Sequence, residues 1–226
     1  MRLTIIYDNN AEQKLKQDLG FSCFANNKKI LFDTGADSKI LLHNMKQLNI
    51  NPKNIKTIIL SHNHFDHTGG LLGFLEKNSN VKVYVLKSFP SSFKKEIKTR
   101  GAELIEVSGP IKITKGFYST GELGTLIKEQ SLVIDSDQGL VVITGCAHPG
   151  IVHIVKKVKE QFKKNIYLVL GGFHHPSIEV AMEFKKLGVK KVAPSHCTGE
   201  KAIKAFEKEY QKDFIKTGAG KIIVIK

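Results

Sequence analysis

The chain has 226 residues, 41% of them hydrophobic, which is enough to bury a sizeable core in one domain. It carries 35 Lys and Arg against 21 Asp and Glu, a formal net charge of +14. The basic residues occur as scattered pairs and never as a run of five, which disfavours a nucleic-acid-binding track. The positive field favours small anionic substrates instead. The length fits one domain or a tightly fused pair of similar halves, and because no linker-like stretch divides the chain we predict a single domain over residues 1–226.

No apolar run reaches the roughly 18 residues that a membrane-spanning helix needs, so we expect a cytoplasmic protein without a membrane partner. The three cysteines, Cys23, Cys146 and Cys197, are too few and too scattered for a disulfide framework. We expect them to pack as small hydrophobic residues, although Cys146 and Cys197 each lie within two residues of a histidine.

Hydrophobic periodicity predicts regular elements from the start of the chain. The predicted strands cover residues 3–7, 21–25, 29–32, 55–60 and 81–86, and the predicted helices cover residues 38–48 and 68–77. Asn26 and Asn27 separate the second and third strands, as in a hairpin turn. This hairpin delivers Asp33 to the edge of the predicted site.

Residues 87–126 are broken by glycines and prolines into a short helix, short strands and loops. Long connections of this kind often wall the substrate pocket of an enzyme. Arg100, Phe117 and Tyr118 are the candidates for that role, and a flexible surface loop is the alternative.

From residue 131 onward the pattern becomes regular again. Strands are predicted at residues 131–134, 140–143, 166–170, 191–193 and 221–225, and helices at residues 151–164, 178–187 and from the loop at 194–199 to about residue 210. Three of these strands run into loops that carry His148, His174 and His196. Because α/β folds gather their chemistry at the carboxyl ends of strands, we expect these loops to converge.

The densest group of metal-capable side chains follows the strand predicted at residues 55–60. His62, His64, Asp66 and His67 fall within six residues, and an extended backbone would project His62 and His64 to one side. Imidazole and carboxylate are ligands that zinc, iron and manganese accept. The alternative, a polar surface loop, would set three histidines against one another whenever they are protonated. The pattern therefore predicts a metal site.

The motif His62-x-His64-x-Asp66-His67 after a strand resembles the signature of the metallo-β-lactamase superfamily. The upstream segment at residues 31–35, Leu-Phe-Asp-Thr-Gly, resembles the first motif of that superfamily. The resemblance implies a four-layer αββα sandwich. It also implies one or two divalent metal ions, with zinc expected and iron or manganese as alternatives.

The superfamily pattern implies three ligands for each of two metals, namely His62, His64 and His148 for the first, and Asp66, His67 and His196 for the second. It implies that Asp33 supports the metal loop without contacting a metal. Asp66 is the expected catalytic residue, either as a ligand or as the group that orients and deprotonates a water.

One position departs from this pattern. Where the superfamily places an aspartate that bridges two metals, the segment at residues 168–174 ends in His174 and contains no aspartate. A neutral imidazole has one lone pair and bridges two cations poorly. The sequence leaves open whether His174 binds one metal, contacts substrate or does neither.

Three segments, at residues 146–151, 171–174 and 195–199, resemble a narrower branch named for a dihydropterin synthase of methanopterin biosynthesis. This resemblance implies a metal-dependent hydrolase or hydrolase-like transferase, whose small anionic substrate carries phosphate or pyrophosphate. An RNA nuclease of the same fold, attracted by the +14 charge, is one alternative. A non-catalytic metal-binding or sensor protein is another.

Overall fold

The computed structural model describes residues 1–226. The strands are β1 (Arg2–Tyr7), β2 (Ser22–Ala25), β3 (Ile30–Phe32), β4 (Thr57–Ile59), β5 (Lys82–Leu86), β6 (Glu103–Val107), β7 (Ile111–Thr114), β8 (Phe117–Ser119), β9 (Leu132–Ser136), β10 (Gly139–Thr144), β11 (Ile166–Gly172), β12 (Lys191–Ser195) and β13 (Ile222–Val224). The α-helices are α1 (Ser38–Gln47), α2 (Phe65–Thr68), α3 (Leu71–Leu75), α4 (Ser91–Thr99), α5 (Ile151–Phe162), α6 (Val180–Lys186) and α7 (Glu200–Tyr210).

The chain divides into two compact units. Unit 1 comprises residues 1–108 and 218–225, and unit 2 comprises residues 109–217 and 226. Each unit contains one mixed sheet with its own helices, as an α/β class requires. The prediction of a single domain over residues 1–226 stays a prediction. No helix in the chain combines the length and the apolar character needed to cross a membrane.

The sheet of unit 1 has seven strands in the order β13-β1-β2-β3-β4-β5-β6. Strands β2 and β3 form the predicted antiparallel hairpin, and β3 to β6 run parallel. The predicted helix after the hairpin is α1, which begins because the Asp37 side chain accepts hydrogen bonds from the backbone N–H groups of its first turn. Leu41 and Met45 bury the apolar face of α1.

The helix predicted at residues 68–77 is instead two short helices, α2 and α3, which meet at Gly69 and Gly70. The Gly70 N–H donates to the Gly35 carbonyl at 3.0 Å, so the chain at this point packs against the backbone that follows β3. A Cβ atom on Gly70 would lie 2.1 Å from the Thr34 carbonyl oxygen. This long-range contact, which sequence periodicity cannot register, sets the break between the helices.

We expect Gly70→Ala to destabilise the protein by about 1–3 kcal/mol, because the new methyl group must displace the Thr34 carbonyl. Gly109→Ala is the matched control, since a Cβ at Gly109 would meet no atom within 4 Å. Urea unfolding midpoints measure both changes. Equal midpoints for the two variants would contradict the close-contact explanation.

The sheet of unit 2 has six strands in the order β12-β11-β10-β9-β8-β7. The three strands β10, β11 and β12 run parallel, while β7 to β10 pair antiparallel. Every residue of β11 is buried, in accordance with its nearly continuous apolar sequence. Helices α5, α6 and α7 cover this sheet with a cluster that includes Val158, Phe184 and Phe206. The parallel strands therefore end together at one edge, where the histidine loops begin.

Candidate metal centre

Asp33 is positioned by the parallel pairing of β3 with β4. Phe32 lies opposite Ile59 in this pairing, and the Asp33 N–H donates to the Ile59 carbonyl at 2.9 Å. The next residues of the two strands therefore run side by side, which brings Asp33 next to Ser61. Asp33 has a left-handed backbone with φ of 57° and is fully buried. Such a conformation in a buried aspartate persists only where surrounding contacts fix it.

The Asp33 carboxylate accepts three hydrogen bonds of 2.7 Å. The donors are the Ser61 backbone N–H, the Ser61 hydroxyl and Nδ1 of His67. Buried carboxylates are tolerated when hydrogen bonds replace the lost water, and this one is satisfied by the metal-capable loop itself. Asp33 therefore holds the loop through hydrogen bonds to Ser61 and His67.

The same hydrogen bonds determine which ring nitrogens face outward. The single Ser61 hydroxyl proton goes to Asp33, so Ser61 Oγ accepts a hydrogen bond from His62 Nδ1, 2.9 Å away. In neutral His62 the lone pair is then on Nε2. His67 donates through Nδ1 in the same way, which directs its Nε2 toward Asp66 Oδ2 at 3.5 Å. Fixing one imidazole nitrogen through a carboxylate or hydroxyl is how proteins orient a metal-ligating histidine.

The three imidazoles of the motif form one cluster. The ring centroid of His62 lies 4.5 Å from that of His64 and 4.3 Å from that of His67. Candidate ligand atoms of His62 and His64 lie within 4.8 Å of each other, and so do those of Asp66 and His67. Unit 1 thus offers two pairs of nitrogen or oxygen donors whose chemistry suits a divalent ion.

The charge state of His67 follows from its surroundings. Burial by itself would lower the pKa of His67, but the adjacent carboxylates of Asp33 and Asp66 outweigh burial and raise this pKa to about 10. In the metal-free protein the His67 imidazole is therefore protonated near neutral pH. A metal ligand must offer a lone pair, so metal uptake by His67 would release a proton.

A raised pKa in the folded state stabilises the protein below the unfolded pKa of about 6.5, and this stability is lost as pH rises through the folded value. We expect Asp33→Asn to destabilise the metal-free protein strongly at pH 6.5, with a difference from wild type that shrinks toward pH 10. Urea unfolding with a chelator present measures the difference.

Asp135→Asn is the control, because Asp135 makes only a partly exposed ion pair with Lys164. Its difference from wild type should be small across the same pH range. A constant difference for Asp33→Asn would show that Asp33 does not set the charge of His67.

In unit 2 the His148 loop is held by a buried carboxylate that the sequence did not reveal. Glu129 Oε1 accepts the backbone N–H groups of Gly145, Cys146 and Ala147 at 2.9–3.0 Å. Glu129 Oε2 accepts the N–H of His148 at 3.0 Å. Four consecutive N–H groups thus surround one carboxylate, an anion-binding concavity of the kind called a nest. The only sequence signal was an acidic residue three positions before a buried strand, which is too common to indicate this role.

We expect Glu129→Gln to destabilise unit 2 by about 1–3 kcal/mol, because the amide NH2 group cannot accept the N–H group that it would face. Hydrogen exchange of the amides at residues 145–148 should accelerate together. Glu160→Gln is the control, since the Glu160 side chain is 66% exposed and pairs only with Lys157. Unchanged exchange in Glu129→Gln would contradict the holding role.

The other two histidine loops of unit 2 also adopt strained backbones. His174, His175 and His196 have φ values of 54°, 46° and 47°, in the left-handed region that non-glycine residues avoid. The His174 ring lies 4.4 Å from the His148 ring, and His196 begins a single 3₁₀ turn directly after β12. The structure therefore brings His174 beside His148 and gives all three loops well-defined conformations.

A pocket of about 530 Å³ opens beside these histidines in unit 2. Its lining consists of Gly124, Thr125, Leu126, Ile127, His148, Pro149, His153 and His174. Part of the connection at residues 87–126 thus does wall a pocket. None of the three candidates named for that role lines this pocket. Phe117 is buried in β8, Tyr118 packs against Phe162, and Arg100 pairs with Glu76.

The fold and these side chains define an α/β protein with His and Asp clusters that suit a divalent metal. A family model of the metallo-β-lactamase superfamily matches residues 24–162. A synthase from Methanocaldococcus jannaschii, named 7,8-dihydropterin-6-methyl-4-(β-D-ribofuranosyl)-aminobenzene-5'-phosphate synthase, is 36% identical over 247 residues, covering 87% of this chain and 84% of the relative. The chain belongs to the metallo-β-lactamase superfamily.

Solved structures confirm the predicted fold class. Tm1679, described as a metal-dependent hydrolase of the β-lactamase superfamily, has a TM-score of 0.86 and 29% identity, with 100% of this chain and 99% of that chain covered. The short form of human tRNase Z has a TM-score of 0.67 over the full length of both chains, at 14% identity. At that identity the second likeness establishes the fold alone.

Proposed function

We propose that this protein is a metal-dependent enzyme acting on a small anionic substrate that carries phosphate or pyrophosphate. The proposal rests on the hydrogen bonds around Asp33. Ser61 binds Nδ1 of His62 and Asp33 binds Nδ1 of His67, so Nε2 of each ring is the atom that would bind a metal. A polar loop with only a structural role does not require its histidine rings to be held in one orientation. The 36% identity to a named synthase supports the substrate class.

The proposed metal ligands are His62, His64, Asp66, His67, His148 and His196, with His174 as a further candidate. Zinc is the proposed ion, with iron or manganese as alternatives, since the same nitrogen and oxygen donors serve all three. Asp33 is the supporting residue, because its carboxylate is already satisfied by Ser61 and His67. A bound divalent ion supplies Lewis acidity that activates water and stabilises an anionic leaving group at neutral pH.

Asp66 is the proposed catalytic residue. Its side chain is 12% exposed and lies beside His67, so the carboxylate is shielded yet open to a reacting molecule. In a hydrolytic reaction Asp66 would orient a water and accept its proton. In a transfer reaction it would accept the proton of an aromatic amine as the new C–N bond forms and the bond to pyrophosphate breaks. Water in the hydrolysis and the amine in the transfer are alternative acceptors of the group that is released from pyrophosphate.

The pocket in unit 2 supports a small-molecule substrate. Its volume of about 530 Å³ is within the range of roughly 300–1,000 Å³ typical of such sites. Leu126 is 99% exposed and Ile127 is 38% exposed, which gives the pocket wall an apolar surface suited to a planar ring. His148 and His174 supply the polar side of the same pocket.

The basic surface gives less support to an RNA substrate. Five of the twelve lysines in the Lys-Lys pairs form local ion pairs, namely Lys94 with Glu106, Lys156 with Glu183, Lys157 with Glu160, Lys164 with Asp135 and Lys191 with Asp213. Such pairs reduce the number of cations available to neutralise phosphates and release counterions. We therefore propose a small substrate rather than a nucleic acid as the partner.

We expect His64→Ala combined with His148→Ala to lose metal retention while leaving folding largely intact, because each variant removes a proposed ligand. Elemental analysis of protein purified without chelator measures metal per chain. His43→Ala is the control, since His43 lies on α1 and makes only a 3.4 Å contact with the Lys14 carbonyl. Full metal content in the double variant would refute the ligand assignment.

We expect Asp66→Asn to lower turnover by about 10²–10⁴-fold with the fold preserved, because the amide cannot accept a proton. The assay supplies a pterin methyl pyrophosphate with and without an aromatic amine acceptor, and measures pyrophosphate and coupled product. Coupled product identifies a transferase, and release without an acceptor identifies a hydrolase. RNA cleavage without either activity would favour the nuclease, and metal binding without any turnover would favour a sensor.

A further inference from the structure

The parallel register of unit 2 brings three soft or borderline metal ligands together. Thr144 of β10 lies opposite Gly171 of β11, and Gly172 of β11 lies opposite Ser195 of β12. Two residues beyond each of these strand ends come Cys146, His174 and Cys197. The same sheet edge therefore presents two thiols and an imidazole from three different loops.

The three ligand atoms are close enough to share one ion. The sulfur atoms of Cys146 and Cys197 and an imidazole nitrogen of His174 all lie within 4.8 Å of one another. Tetrahedral zinc, with Zn–S near 2.3 Å and Zn–N near 2.0 Å, places its donors roughly 3.5–3.8 Å apart. Small side-chain rotations would close the remaining gap. In the metal-free protein the Cys197 thiol donates a hydrogen bond to the Cys146 carbonyl oxygen at 3.7 Å, and this bond would be given up when the thiolate binds the ion.

The backbone around these atoms leaves room for the sulfur and fixes the loops. A Cβ atom at Gly172 would lie 2.7 Å from Cys197 Sγ and 3.2 Å from the Cys146 Cα, so only glycine admits the thiol. The His175 N–H donates to the Cys197 carbonyl at 2.9 Å, which ties the second loop to the third. His174 and His175 are both left-handed, a conformation that non-glycine residues keep only where surrounding contacts fix it.

The geometry points to a thiolate-containing metal subsite formed by Cys146, His174 and Cys197, and we propose that it takes a zinc ion. Two thiolates neutralise the divalent charge, and imidazole completes three protein ligands, which leaves a fourth position for water or substrate. His174 is exposed and lines the pocket of unit 2, so one of the three proposed ligands is accessible from the pocket. The proposal gives His174 a role and does not depend on the ligands proposed in unit 1.

The test uses Co²⁺ as the probe, added to the reduced, metal-free full chain. Thiolate ligation produces a strong near-ultraviolet charge-transfer band that nitrogen and oxygen ligands do not produce. We expect this band in wild type, its loss in Cys146→Ser and in Cys197→Ser, and more than tenfold weaker Co²⁺ binding in His174→Ala. Cys23→Ser is the control, because Cys23 is buried within β2 and should leave the band unchanged.

His62→Ala combined with His64→Ala separates this subsite from the function proposed above. The band should persist in that double variant, whether or not the double variant retains activity. Absence of the band in wild type, or its persistence in both serine variants, overturns the subsite.

A second measurement needs no variant. Zn²⁺ should slow alkylation of Cys146 and Cys197 in wild type by more than tenfold, as read by mass spectrometry of the labelled peptides. Unchanged alkylation rates, or a disulfide between these two cysteines in protein kept under reductant, would overturn the proposal.

Discussion

The metal-capable loop of unit 1 depends on one buried carboxylate. Asp33 holds Ser61 through two hydrogen bonds and His67 through a third, and Ser61 in turn fixes His62. A buried anion is stable only when hydrogen bonds replace its hydration. The dependence is mutual. The loop supplies the hydrogen bonds that stabilise the buried carboxylate, and the carboxylate holds Ser61 and His67 of the loop in place. The orientation of the imidazoles is therefore set before any metal arrives.

Unit 2 uses the same physical device with different partners. Glu129 satisfies its charge with four consecutive backbone N–H groups rather than with side chains. The bonds of Glu129 fix the main chain of the His148 loop, whereas Asp33 binds the backbone N–H and hydroxyl of Ser61 and one ring nitrogen of His67. Both arrangements place the stabilising charge beneath the loop, so the side chains above remain available for chemistry. This division between support and contact is typical of sites that bind metals.

Parallel strand pairing supplies the remaining organisation. In each sheet, neighbouring parallel strands end at one edge, and residues one or two positions beyond those ends become neighbours. That rule explains why Asp33 meets Ser61 and why Cys146, His174 and Cys197 gather in unit 2. Asp33 and His196 are both left-handed and both directly follow a strand, so the chain turns sharply where these strands end.

The sequence by itself determined the hairpin, most strand positions, the helix at α1 and the motif from His62 to His67. These features are local, because periodicity and turn chemistry act between residues only a few positions apart. The break between α2 and α3, the role of Glu129, the protonation of His67 and the cysteine grouping were decided by tertiary structure. Glu129 binds N–H groups 16 to 19 residues away, and Asp33 binds groups 28 to 34 residues away. Contacts over such separations leave no periodic pattern in the sequence. Any buried carboxylate can be stabilised by whichever hydrogen-bond donors the fold brings within reach, and the sequence does not indicate which donors these are.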